Sequence, residues 1–248
     1  MTEGLADEDE ARLRLDLALC TRLMAGEGIL GYSGHVAARL PGGERILIQP
    51  FDENRAEVTP ECLLVTDLEA NVISAPDGAK PPDETVIHTE IMKARPDASA
   101  VLHFHPEIAT LFTMVAGVEL APVRNHAARW GSGFPVHGDA AKITNTGQAR
   151  ALVQTLAAHN AALLRAHGAV LVAESLPALL CDAVHFQENA ETMYRASMLG
   201  RVVPLTQTEM EGAEAHIERP RHAAKLWKFY LARAQEAGRL VGIDMAAN

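Results

Sequence analysis

The chain has 248 residues, enough for one large α/β domain or two small ones. Hydrophobic residues make up 48%, which supports a substantial core, while aromatics reach only 4%, so Ala, Leu and Val must do most of the packing. The net charge of −10 disfavours nucleic acid as a partner, since phosphate binding needs a basic surface, and no apolar run approaches the ~20 residues of a membrane span.

Residues 7–27 carry Leu13, Leu17, Cys20 and Met24 at helical spacing, and Gly26, Gly28 and Gly31 end that helix. A β-rich stretch follows over 35–40, 45–49, 63–67 and 71–74. Residues 76–82 form a Pro/Gly-rich loop. A second helix spans 84–95, with Val86, Ile87, Ile91 and Ala94 on one side, and Pro96-Asp97 breaks it. A strand occupies 99–105, and Pro106 opens a helix to about residue 115. Residues 146–159 are helical, and strands at 161–165 and 169–172 flank His167. Helices are expected at 176–199, 207–217 and 221–237. With no repeats and no interdomain linker, a single α/β domain over 1–248 accounts for the order of elements.

The first ten residues are acidic and lack a basic segment followed by an apolar one, so no secretory signal is expected. Cys20, Cys62 and Cys181 are far apart and odd in number. They read as packed thiols in a reducing cytoplasm rather than as a disulfide framework.

Eleven histidines are many for this length. His103-Phe104-His105 ends a strand, and alternate strand residues face the same side, so the two imidazoles project together. His167 precedes Gly168, which is expected to let the backbone turn and aim the ring inward. Three neutral imidazoles with open positions are the layout of a catalytic metal site. His-x-His alone is a weak signal, more often a surface or core pair.

Four ordered segments strengthen it. They are Gly-Tyr-Ser-Gly-His-Val-Ala-Ala-Arg-Leu at 31–40, Pro-Asp-Glu-Thr-Val-Ile-His at 82–88, Arg-Pro-Asp-Ala-Ser-Ala-Val-Leu-His-Phe-His at 95–105, and Leu-Arg-Ala-His-Gly at 164–168. Together they resemble the class II aldolase/adducin family from about residue 28 to 199. The resemblance implies a three-layer α/β/α domain built on a central, mainly antiparallel sheet. It implies a divalent ion, Zn²⁺ first and Mn²⁺, Fe²⁺ or Co²⁺ as alternatives, on His103, His105 and His167, with Glu84 as catalytic acid/base. A Glu in a first helical turn is otherwise an ordinary exposed residue, and His88 one turn on reads as a packing or hydrogen-bonding residue. The family further implies a homotetramer with sites at subunit interfaces. The helices at about 205–240, with His216, His222, Trp227 and Tyr230, are expected at such an interface.

The sequence departs from the sugar-phosphate members of that family. Pro82-Asp83 stands where they have Ser-Ser, His35 where they have Asn, and 50–54 where they have Thr-Gly. Asp83 is expected to repel phosphate, so a phosphorylated sugar is disfavoured. Ser33, His35, Arg124 and His126 are the expected substrate-binding residues, with Arg129 and Trp130 beside them, because Arg holds carboxylates and indole stacks on planar rings.

This pattern is similar to the decarboxylase branch of the family. The leading expectation is a cytoplasmic, metal-dependent lyase that decarboxylates a hydroxylated aromatic or ring-cleavage dicarboxylic acid through a metal-stabilised enolate. The alternatives are an aldolase or epimerase on an unphosphorylated substrate, a non-haem iron oxygenase, and an adducin-like interaction module without catalysis.

Overall fold

The computed structural model describes residues 2–244, with side chains from Glu8 onward. Helix α1 (Thr2–Gly26) leads into four strands, β1 (His35–Arg39), β2 (Arg45–Ile48), β3 (Leu64–Asp67) and β4 (Val72–Ser74). Helix α2 (Thr85–Ala94), strand β5 (Ala100–Phe104) and the short helix α3 (Glu107–Leu111) follow. A 3-10 turn (Asn125–Trp130), the two-residue β6 (Val136–His137) and helix α4 (Thr146–Leu156) come next. The hairpin β7 (Ala161–Leu164) and β8 (Gly168–Ala173) then precedes the helices α5 (Leu176–Ser197), α6 (Gln207–Glu214) and α7 (Arg219–Glu236).

The strands form one eight-stranded sheet in the order β4-β3-β2-β1-β5-β8-β7-β6. Every neighbour pair is antiparallel except β6 with β7. The expected mainly antiparallel α/β architecture is therefore the one observed.

Strand alternation sorts the apolar side chains onto two faces. Ala100, Leu102 and Phe104 of β5, with Leu171 of β8, join the core under α1 and α5. Val101 and Val170 join a second core with Ile87 and Ile91 of α2 and Leu152 of α4. At about 25 cal/mol per Å² of apolar area, such two-sided burial is the main stabilising term of the fold. Cys20 and Cys181 are buried and Cys62 partly so, all as free thiols.

The helix expected over 106–115 stops at Leu111. Thr110 Oγ1 bonds back to the Pro106 carbonyl at 2.7 Å, and Thr113 Oγ1 to the Thr110 carbonyl at 2.7 Å. Such hydroxyl bonds compete with helix continuation. Helix α4 ends at Leu156 because Ala157 takes φ 46° while its N–H still reaches the Val153 carbonyl.

Candidate metal centre and active site

The end of β5 is where the chemistry gathers. His103 is the last but one residue of β5 and pairs with His35 of β1 in the antiparallel register. Since Val101 faces the α2/α4 layer, His103 two residues on faces it too. His105 follows the strand directly, and its ring centroid lies 4.9 Å from that of His103. The β7–β8 turn delivers His167, with centroids 5.0 Å from His103 and 5.2 Å from His105.

The turn is shaped differently from the expectation placed on Gly168. It is Ala166, at φ 53°, that takes the left-handed conformation. Gly168 is needed for close packing: a Cβ there would stand 2.3 Å from the Phe104 carbonyl oxygen and 2.9 Å from His105 Cδ2.

The ring nitrogens suit a divalent cation. His103 Nδ1 lies 3.1 Å from the Ala169 carbonyl. Only an N–H can donate to a carbonyl, so Nε2 of the neutral ring carries the lone pair. That Nε2 is buried and makes no hydrogen bond among the described residues, and neither does the buried Nδ1 of His167. His105 Nδ1 is engaged by Ser33 Oγ at 2.9 Å, which leaves its other nitrogen free. Burial, then the neighbouring His103 and His167 rings, pushes His105 down to about 4, and burial also lowers His167. Both shifts favour the neutral imidazole that a metal ligand requires. Three imidazoles whose outer nitrogens are partly fixed by other groups form a donor set that a Zn²⁺-like ion fits.

Glu84 completes the group. It is the N-cap residue of α2, where the helix dipole favours an anion. Its Oε2 lies 3.5 Å from His103 Nε2 and its Oε1 lies 3.7 Å from His167 Nε2. The Ile143 amide donates to Oε1 at 3.1 Å. Burial alone would raise this carboxyl. The Ile143 amide, together with the His103 and His167 rings whenever these carry a proton, outweighs burial and holds it below the usual carboxylate range. One ligand atom from each of Glu84, His103, His105 and His167 lies within 4.8 Å of all the others.

The centre opens into a cavity of about 500 Å³ bordered by Ser33, His35, Arg55, Asp83 and Lys142. His35 is buried, with Nδ1 2.6 Å from His88 Nε2, so His88 is the hydrogen-bonding partner expected of it. Arg55 and Lys142 were not evident from the sequence. Arg55 is buried beneath the 50–54 loop, donating from Nε to the Gly34 carbonyl and from Nη1 to the Phe51 carbonyl. Its Nη2 makes no hydrogen bond among the described residues and is available to the cavity. Lys142 lies beside Asp83 at 2.6 Å. The Asp83 charge is thereby compensated, so the repulsion of phosphate expected from it is weaker than the sequence suggests.

Other expected substrate residues lie elsewhere in the chain. Trp130 is a core residue, 1% exposed, packed against Phe134 and Phe186 rather than open to a ligand. Arg129 is committed to Asp182 at 2.8 Å. Arg124 pairs with Glu188 at 3.4 Å, and His126 stacks on His185 with centroids 4.4 Å apart. Arg124 and His126 are therefore not brought into the cavity of their own chain.

Known proteins share this fold. The family model of the class II aldolase and adducin N-terminal domain matches residues 15–194. A 3,4-dihydroxyphthalate decarboxylase of Terrabacter sp. (strain DBF63) is 30% identical over 159 residues, 59% of this chain and just under two thirds (65%) of that protein. A methylthioribulose-1-phosphate dehydratase of Methylococcus capsulatus (strain ATCC 33009 / NCIMB 11132 / Bath) is 33% identical over 120 residues, 44% of this chain and 57% of that one. The solved L-fuculose 1-phosphate aldolase from Glaciozyma antarctica PI12 superposes with a TM-score of 0.80 at 20% identity, covering 93% of each chain, a likeness of fold. From its matched segments, its sheet and its histidine-rich centre, the chain belongs to the class II aldolase and adducin N-terminal domain family.

Proposed function

We propose that this protein is a metal-dependent carbon–carbon lyase that decarboxylates a hydroxylated aromatic or ring-cleavage dicarboxylic acid. The observation that carries this reading is the Glu84 carboxylate set against His103 and His167, inside a cavity that also presents Arg55 and Lys142. The Terrabacter relative, named for a dihydroxylated aromatic diacid, supports the substrate class.

A divalent ion on His103, His105 and His167, Zn²⁺ in the first place, would supply a Lewis acid beside the substrate oxygen that takes up negative charge. Glu84, ionised at rest, takes the proton of the substrate hydroxyl. As the bond to the leaving carboxylate breaks, its electron pair stays on carbon and CO₂ departs. Glu84 then returns the proton to that carbon, so the proton balance closes without an outside acid. The remaining carboxylate is held by Arg55 Nη2 and Lys142, and Ser33 and His35 line the path to the centre. Ser33 can accept from His105 and still donate its own proton to substrate. Arg124 can reach a cavity of this kind only from an adjacent subunit, whereas His126 is stacked on His185.

The homotetramer belongs to the same proposal, with the 205–240 helices at its interface. Exposed Leu199, Val203 and Phe229 offer apolar surface for it. A cytoplasmic location is also proposed; no helix of the described residues is long and apolar enough to cross a membrane.

The class II aldolase and adducin family match keeps aldol cleavage of an unphosphorylated hydroxy-carbonyl compound as a second reading. The same residues serve it, with an aldehyde leaving in place of CO₂. Product analysis separates the two: metal-loaded protein is incubated with hydroxy-aromatic diacids and with hydroxy-carbonyl compounds, and CO₂ and aldehyde are quantified. CO₂ from the diacids supports the first reading, and aldehyde alone replaces it with the second.

A further inference from the structure

Away from the cavity, three histidines from three separate elements converge. His126 comes from the 3-10 turn, His185 from α5 and His222 from α7. His126 and His185 are stacked at 10°, and His222 lies 5.6 Å and 5.3 Å from them, centroid to centroid. One ring nitrogen from each lies within 4.8 Å of the other two.

Their hydrogen bonding is incomplete. His126 Nδ1 and His222 Nε2 are buried and unpartnered among the described residues. Buried polar atoms without a partner are uncommon and call for a physical account. His185 Nδ1 lies 3.7 Å from Cys181 Sγ, and with Nδ1–H donating to sulfur its Nε2 is left bare. The nearby cations do not oppose a further positive charge unchecked. Arg129 and Arg219 are both tied to Asp182 at 2.8 Å, Arg219 also to Glu174 at 2.6 Å, and Arg124 to Glu188. A cavity of about 190 Å³ borders the three rings, with Glu214 on its wall.

We propose that His126, His185 and His222 form a second metal site, for a divalent transition ion of the Zn²⁺ type, with its fourth position open to this cavity. Imidazole-only donors select Zn²⁺, Cu²⁺, Ni²⁺ or Co²⁺ over Mg²⁺ and Ca²⁺. Tetrahedral Zn–N bonds of about 2.0–2.1 Å place the nitrogens about 3.4 Å apart, so binding draws together any pair now wider than that, by at most about 1.4 Å. The ion would satisfy the two orphaned nitrogens. It would also fasten α7 and the 3-10 turn to α5, tying the C-terminal helix to the body of the domain.

The full-length chain tests this after metal removal with a chelator. Zn²⁺ is titrated against a chromophoric competitor, and Co²⁺ is followed by its visible ligand-field absorption. The wild type is expected to bind two ions per chain, and a His103→Ala/His105→Ala double variant one. Adding His222→Ala or His126→Ala to the double variant is expected to weaken the remaining binding by more than about 100-fold, beyond the 10–100-fold typical of losing an outer partner of a ligand. Circular dichroism on each variant reports folding. Should the double variant fail to fold, two ions in the wild type against one in His222→Ala answers the same question. The proposal is overturned if the folded double variant binds no Zn²⁺ or Co²⁺, or if Zn²⁺ affinity is unchanged by both His126→Ala and His222→Ala.

Discussion

Gly168→Ala isolates the part the backbone plays in building the metal centre. The added methyl would meet the Phe104 carbonyl oxygen at 2.3 Å, against ordinary contacts of 3.4 Å and beyond, an overlap of about 1.1 Å. The obstacle is backbone at the end of β5, which cannot rotate away. Relief requires the ends of β5 and β8 to part, and His105 follows β5 directly. Overpacking of this kind costs about 1–3 kcal/mol, and a rigid obstacle argues for about 3. For a domain of this size that lowers the melting temperature by about 6–12 °C. The second contact, 2.9 Å to His105 Cδ2, displaces a ligand ring, so Zn²⁺ affinity at this centre should fall at least tenfold. Thermal unfolding and competitive Zn²⁺ titration measure the two effects. Gly138→Ala is the control, because a Cβ there meets nothing within 4 Å. A Gly168→Ala protein with the melting temperature and Zn²⁺ affinity of the wild type would show that the strands accept a methyl there without displacing His105.

His103→Ala removes a buried ligand and should abolish Zn²⁺ binding at this centre together with turnover; metal-loaded, fully active variant protein would remove His103 from the site. Arg219→Ala leaves the 2%-exposed Asp182 carboxylate with Arg129 as its remaining partner, and should cost about 3 kcal/mol in denaturant unfolding. A loss under about 1 kcal/mol would show that Arg129 suffices. Stability should also fall on acidification through His88. Burial holds its folded value at about 3, below the ordinary value of 6.5, so the unfolded chain binds the extra proton. The contribution is complete above pH 6.5 and is lost as pH falls towards 3. The slope of melting temperature against pH in that window should be shallower in His88→Gln, and an identical slope would contradict the assignment.

Much of this was legible in the sequence because it depends on short-range rules. The two-residue period of a strand places His103 and His105 together, and a first helical turn places Glu84 at the positive end of a dipole. What was not legible depends on how distant segments meet. Arg55 reads as a surface cation until the 50–54 loop is seen wrapping its guanidinium. Asp83 reads as a free anion until Lys142, 59 residues on, is found beside it. Trp130 beside Arg129 reads as a stacking platform until Phe186 of α5 is found packed against it. In the sequence Gly168 reads as a point of backbone freedom, but its value lies in the Cβ it lacks and the strand it lets approach.

Glu84 is proposed to move a proton at a three-histidine metal centre and so release CO₂. CO₂ evolved from 3,4-dihydroxyphthalate and related hydroxy-aromatic diacids tests it most directly, measured on metal-loaded wild type, chelator-treated wild type and metal-loaded Glu84→Gln. CO₂ is expected from the first alone, with Glu84→Gln still binding metal at His103, His105 and His167. CO₂ release undiminished by chelation or by Glu84→Gln, or absent from the metal-loaded wild type across the whole series, would contradict it.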